Sequence, residues 1–263
     1  MVSREVFWSI PSEMKLYFYL AAAASVFIFL VGLWGRVSIW TLGRDDKDFN
    51  GTKTLGFLWF AITSFFKPDC MFGRKSFSLK GYRGLMLVSI IIGFLLLLAG
   101  TSILTLHHYK IPTGFLVNSP YLVFSFLMDF GGFILLIGLL ISLGRRLLVS
   151  EVRRVTNRDD YVFLLLFLII TVTGFMIEGI RLAVDQPQNM DYAFVGAIFS
   201  KVFFTLSSAS IPVYRLTWAV HVSSVFLLIS LLPYSKFFHI VASQISVAAA
   251  KDRYGGAIRG RKD

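Results

Sequence analysis

His221 and His239 stand eighteen residues apart on one long apolar stretch near the end of the chain. An α-helix turns 100° per residue, so this interval is five whole turns and both imidazoles point the same way, about 27 Å apart along the axis. The hydrocarbon core of a bilayer is about 30 Å thick. One helix face presenting an imidazole near each membrane surface is what an electron path through two haems requires. The same spacing also suits two unrelated polar residues tolerated at helix ends. His107 and His108 close another apolar stretch. An outer haem between His221 and one of that pair is geometrically reasonable, because neutral imidazoles are common axial ligands and a b-type haem needs no thioether bond. Successive helical residues point 100° apart, so only one of the two can face His221. His107 continues the helix more surely. No histidine remains on the inner side to oppose His239. Met86 offers a thioether there, although a methionine on an apolar helix is more often core or lipid-facing.

Other polar groups lie within the apolar stretches. Glu178 and Arg181 are three residues apart, on one helix face. Ionisable groups in a membrane segment default to a functional role. Glu178 is positioned to accept a proton from a quinol, and Arg181 or Arg215 to hold haem propionates or a quinone. An ion pair that merely orients the helix is the plainer reading. Asp129, within a third apolar stretch, is expected to be paired or protonated and is a second candidate for proton handling. Cys70, in the turn Lys67-Pro68-Asp69-Cys70, reads as a reduced, packed thiol in a loop that contacts a partner. As the only cysteine it excludes an intrachain disulfide, a protein-held iron–sulfur cluster and covalent c-type haem attachment.

The elements that must position these residues follow from hydrophobicity. Of 263 residues, 56% are hydrophobic, above the 45–50% usual for a soluble domain. Runs of about 20 apolar residues recur, which makes this an all-α integral membrane protein. Five spans are expected, over residues 16–39, 85–106, 121–143, 162–183 and 216–233. The shorter apolar segments 55–66 and 193–206 are expected to be interfacial or loop-packed helices. Residues 1–14 read as an outer leader without a cleavage site, 15–240 as the membrane domain, and 241–263 as a basic cytoplasmic tail.

The formal net charge of +11 raises the question of nucleic acid, but its distribution answers it. With the N-terminus outside and the C-terminus in the cytoplasm, segments 36–83, 145–158 and 236–263 face inward. They hold 9, 5 and 6 Lys or Arg, 20 of the 26 in the chain. That is the positive-inside pattern. It suits lipid headgroups or an acidic cytoplasmic partner, with no nucleic acid involved. No internal repeat is evident, which weakens a transporter reading.

The stretch Tyr214-Arg215-Leu216-Thr217-Trp218-Ala219-Val220-His221, with Leu232-Pro233-Tyr234-Ser235-Lys236-Phe237-Phe238-His239, resembles the last helix of the nitrate reductase gamma-subunit-like membrane cytochromes. It looks closest to the membrane subunits of heterodisulfide-reductase-type and sulfate-reducer transmembrane redox complexes. Thr173-Gly174-Phe175 through Glu178 and Arg181 resembles their fourth helix, and Lys67-Pro68-Asp69-Cys70 their first inner loop. The resemblance implies a subunit of the prokaryotic cytoplasmic membrane that carries one or two b haems. Such a subunit passes electrons between a quinone-type carrier and a cytoplasmic iron–sulfur partner of heterodisulfide-reductase type. The family's second helix usually carries two histidines about ten residues apart. Here His107/His108 match the outer one, whereas positions 97 and 98 are both leucine. That departure motivates a second reading, a haem-poor membrane anchor that binds quinone and docks a partner.

Overall fold

The computed structural model describes residues 5–41, 82–111, 116–117, 119–187, 190–204, 210–236 and 238. Among these the chain is all-helical. In order come α1 (Ser12–Thr41), α2 (Tyr82–His108), α3 (Ser119–Leu148), the short α4 (Ser150–Val155) and α5 (Arg158–Asp185). A 3-10 turn (Met190–Tyr192), α6 (Phe194–Phe203), α7 (Ser210–Leu231) and a second 3-10 turn (Leu232–Tyr234) complete the chain order. Helices α1, α2, α3, α5 and α7 are long and apolar enough to cross a membrane, in agreement with the five expected spans. The protein is a multi-pass membrane protein. Segment 55–66, Cys70, His239 and the tail 241–263 lie outside the described residues.

The helix ends have local causes. α5 starts with a capping box: the Asn157 side chain accepts from the Asp160 N–H, and the Asp160 carboxylate accepts the Asn157 N–H at 2.9 Å. Asp159 and Asp160 also place negative charge in its first turn, where the helix dipole favours it. α2 ends in a Schellman pattern. Lys110 takes a left-handed conformation (φ 57°), its N–H donates to the His107 carbonyl at 3.0 Å, and the Ile111 N–H donates to Leu106 at 2.9 Å. Both His107 and His108 therefore sit in the last, capped turn of α2.

The chain divides into two compact units, one of residues 1–24 and 85–228, the other of 25–84 and 229–263. In the first, α5 is the most enclosed span, with half of its apolar window buried. Burying apolar side chains gains little in lipid, which is as apolar as leucine, so close backbone approach and polar contacts must hold spanning helices together. Glycines provide the approach. A Cβ on Gly93 of α2 would fall 2.7 Å from the Gly131 carbonyl oxygen and the Leu135 nitrogen of α3. The residues before α1 are also packed here. Phe7 and Ile10 are buried with Ile177, Ile180 and Tyr214, so these two residues of the expected leader pack into the core.

In the second unit, the C-terminal half of α1 meets the 3-10 turn that follows α7. Arg36 Nε donates to the Pro233 carbonyl at 3.1 Å, the Tyr234 hydroxyl to the Ile28 carbonyl at 3.3 Å, and Gly32 leaves room for the Tyr234 ring. This turn corrects one expectation. The α-helix ends at Leu231, Pro233 follows in the 3-10 turn, and Ser235 is extended (ψ 169°). Proline has no N–H to continue the ladder and clashes with the preceding turn. The α-helix that carries His221 thus ends at Leu231, before the five turns counted from His221 are complete.

The glycine contact is testable. Gly93→Ala must push α2 from α3 against backbone atoms, and overpacking of this kind costs about 1–3 kcal/mol. Gly144, also in α3, has nothing within 4 Å of its Cβ position, so Gly144→Ala is expected to be neutral or slightly stabilising. Thermal melts in detergent should separate the two variants; equal melting points would contradict the packing described.

Candidate functional site

The chemistry-bearing side chains of the first unit gather where α3, α5, α6 and α7 approach one another. Helix α6 has Ala193 as its N-cap residue and makes no capping hydrogen bond of its own. Its orphan N–H groups would be costly in a non-aqueous interior. Asp129 of α3 supplies the missing cap from another helix. Its Oδ2 accepts from the Val195 N–H at 2.5 Å and the Gly196 N–H at 3.4 Å, the donors that a side-chain N-cap normally satisfies. Only a small residue fits at position 196, because a Cβ there would meet Glu178 Cγ at 3.0 Å. Gly179 of α5 makes the matching allowance, since its Cβ would fall 2.5 Å from that of Phe199. Asp129 and Glu178 thus flank the first turn of α6, where the dipole favours negative charge.

Glu178 forms a buried ion pair with Arg181. Arg181 Nη2 donates to Glu178 Oε1 at 2.7 Å and Nε to Oε2 at 3.3 Å. Nη2 also donates to the Tyr121 hydroxyl at 3.2 Å, and Nη1 lies 3.5 Å from Asp185 Oδ2. The guanidinium is therefore engaged on three sides. An isolated charge in this setting would be prohibitive, and a mutually satisfied cluster is the tolerable form.

His221 lies on α7, about 15 Å along the axis from the start of that span at Ile211. Its Nδ1 is 3.0 Å from Thr173 Oγ1 of α5. Gly174 follows Thr173, and a Cβ there would sit 3.4 Å from His221 Cε1, so the ring rests against α5. His108 is exposed and packs edge-on against Phe7, with centroids 5.6 Å apart; Phe7 in turn contacts Trp218, three residues before His221. Phe7 thereby brings the end of α2 close to α7. His107 is half-buried, with its Nδ1 screened from solvent. Arg215 Nε donates to the Ser9 carbonyl at 2.9 Å, which fastens the turn before α1. Met86 has its sulfur 3.6 Å from Arg145 Nη1.

A model of the nitrate reductase gamma subunit family matches residues 92–252, a stretch that includes all four histidines. The chain belongs to the nitrate reductase gamma subunit family. It is similar to the EtfAB:quinone oxidoreductase of Syntrophomonas wolfei, 29% identical over 252 residues, covering 90% of this chain and 34% of that protein. It is also similar to a subunit of the dihydromethanophenazine:CoB–CoM heterodisulfide reductase of Methanosarcina thermophila, 30% identical over 192 residues, 70% of this chain and 64% of that one. The corresponding protein of Methanosarcina mazei is 35% identical over 120 residues, covering 46% and 39%. The chain spans between about a third and just under two thirds of the length of these relatives. No solved structure matches it significantly.

For this gamma-family chain, the structure joins Glu178 to Arg181 as the three-residue spacing suggested, and pairs Asp129 as its burial required. It ties Arg181 to protein partners and Arg215 to the N-terminal turn. Three features escaped the sequence: Thr173 beside His221, Tyr121 beside Arg181, and the α6 N-terminus against Asp129. All are contacts between helices far apart in sequence. The local signal was small residues, Gly174, Gly179 and Gly196, each beside a close contact.

The cap across helices predicts a graded response. Asp129→Asn keeps an acceptor for α6 and should destabilise little. Asp129→Ala leaves two buried N–H groups unmet, at about 1–3 kcal/mol for each group left unsatisfied. Melting of both variants in detergent checks this; equal losses would show that the hydrogen bonds to Val195 and Gly196 do not matter.

Proposed function

We propose that this chain is a membrane electron-transfer subunit of a quinone-linked redox complex, carrying at least one b-type haem with His221 as an axial ligand. The observation that carries the reading is His221, held by Thr173 inside the helical unit of a nitrate reductase gamma family member. The donor set fits a b-type haem: imidazoles on two spans, no C-x-x-C-H, and α2 ending beside α7 around Phe7. His107 is the favoured opposite ligand, because His108 is exposed and packed edge-on against Phe7. Bound there, the haem supplies a one-electron carrier, while the protein sets its position and electrostatics.

Oxidation of a quinol releases two electrons and two protons. Glu178 and Asp129 are the candidate acceptors, one proton each, Glu178 by giving up its pairing with Arg181 and Asp129 its bonds to the α6 N-terminus. Arg181, which also donates to the Tyr121 hydroxyl, holds the Glu178 carboxylate in place. Arg215 and Arg181 are the candidate cations for haem propionates or quinone, Arg181 by giving up one of its contacts to Glu178, Tyr121 or Asp185. By analogy with the relatives named quinone oxidoreductase and heterodisulfide reductase, the partner is a cytoplasmic iron–sulfur protein of heterodisulfide-reductase type. The N-terminus is outside, and the basic loops and the tail 241–263 face the cytoplasm, against anionic lipid and that partner.

A second reading has two observations in its favour. α7, which carries His221, stops at Leu231, and positions 97 and 98 are leucine. A haem-poor quinone-binding anchor would have that character. A pyridine-haemochrome assay on the detergent-purified chain separates the two. We expect one or more b haems per polypeptide and loss of the Soret band on His221→Ala. A folded, partner-competent protein with no haem would overturn the reading in favour of the anchor.

A further inference from the structure

We infer that Thr173 is a positioning residue for His221: its hydroxyl fixes the imidazole as the Nδ1–H tautomer and so assigns the lone pair to Nε2. One hydroxyl proton decides the tautomer. Thr173 Oγ1 is 2.5 Å from the Ile169 carbonyl, 3.2 Å from that of Ile170 and 3.0 Å from His221 Nδ1. A hydroxyl has one proton and two lone pairs. Carbonyl oxygens only accept, so the proton is directed back to Ile169, the four-residue back-bond usual for threonine inside a helix. What Thr173 then offers His221 is a lone pair. Nδ1 must carry the hydrogen, and in a neutral ring the other nitrogen becomes the acceptor or ligand.

Back-bonding alone does not single out this residue. Thr101, Ser102 and Thr105 of α2 bond the carbonyls four residues earlier in the same way, at 2.8–2.9 Å, on an exposed face. Thr173 differs in having an imidazole from another helix on its oxygen. Gly174 next to it lets that ring lie close enough to α5 for the bond to form. A hydrogen bond to the non-ligating nitrogen of an axial histidine fixes its orientation and raises its basicity. A more basic axial ligand favours ferric over ferrous iron.

The inference deepens the haem reading and rests on it for its electronic consequence, although the tautomer can be measured without haem. Nitrogen-15 NMR of the full chain, labelled at histidine and held at a pH where imidazole is neutral, should give a protonated Nδ1 and an unprotonated Nε2 for His221. The resonance is identified by its loss in His221→Ala. Thr173→Val, which keeps the shape and removes the oxygen, should abolish this preference, and Thr173→Ser should restore it. In haem-loaded protein, Thr173→Val should weaken haem binding about 10–100-fold and move the midpoint potential upward, with Thr173→Ser close to wild type. A wild-type ring protonated at Nε2, or a Thr173→Val protein with unchanged tautomer and potential, would overturn the inference. A chain that shows the Nδ1–H tautomer yet takes no haem would instead sink the haem reading and leave the role of Thr173 standing.

Discussion

Asp129 accepting the first N–H groups of α6 is the interaction around which the first unit is arranged. In a hydrocarbon interior each unmet backbone donor costs several kcal/mol, so a ten-residue helix cannot be laid among spanning helices unless its ends are satisfied. Ala193 cannot do this for α6, and a carboxylate eleven residues into α3 does it instead. Once α6 is fixed, its first turn stands beside Glu178, and its Phe199 stacks on Phe175 of α5. Glu178 in turn needs Arg181, which reaches Tyr121 on α3. The buried charges are therefore one connected set, each member answering a requirement made by another.

His221 is held by a different and simpler device. It meets α5 one and a half turns before Glu178, at a hydroxyl already bonded to its own helix. The same helix thus carries both the imidazole's hydrogen-bond partner and the buried Glu178–Arg181 pair. α5 is also the most enclosed span, whereas α1 leaves large side chains such as Phe27 and Trp34 exposed.

Much of this was legible in the residues. The five spans follow from runs of apolar residues too long for a soluble core, and Glu178 with Arg181 from a three-residue interval within one of them. The break after α7 was also written in the chain, as Pro233 two residues beyond Leu231. The periodicity of two histidines eighteen residues apart concealed it, because a whole-turn count assumes that the helix continues. Contacts such as Thr173 with His221 or Asp129 with Val195 were not legible, since they depend on how helices cross. Crossing is set by glycines such as Gly93 and Gly179, whose close neighbours emerge only in three dimensions.

The central claim is that electrons pass between a quinone-type carrier and a haem held by His221. It is tested most directly by adding a quinol to the oxidised, detergent-purified chain and following the haem α band in a stopped-flow spectrometer. The band is expected to appear with quinol, to an extent set by the two potentials. A band raised by dithionite but untouched by quinol, or no band with either, would contradict it.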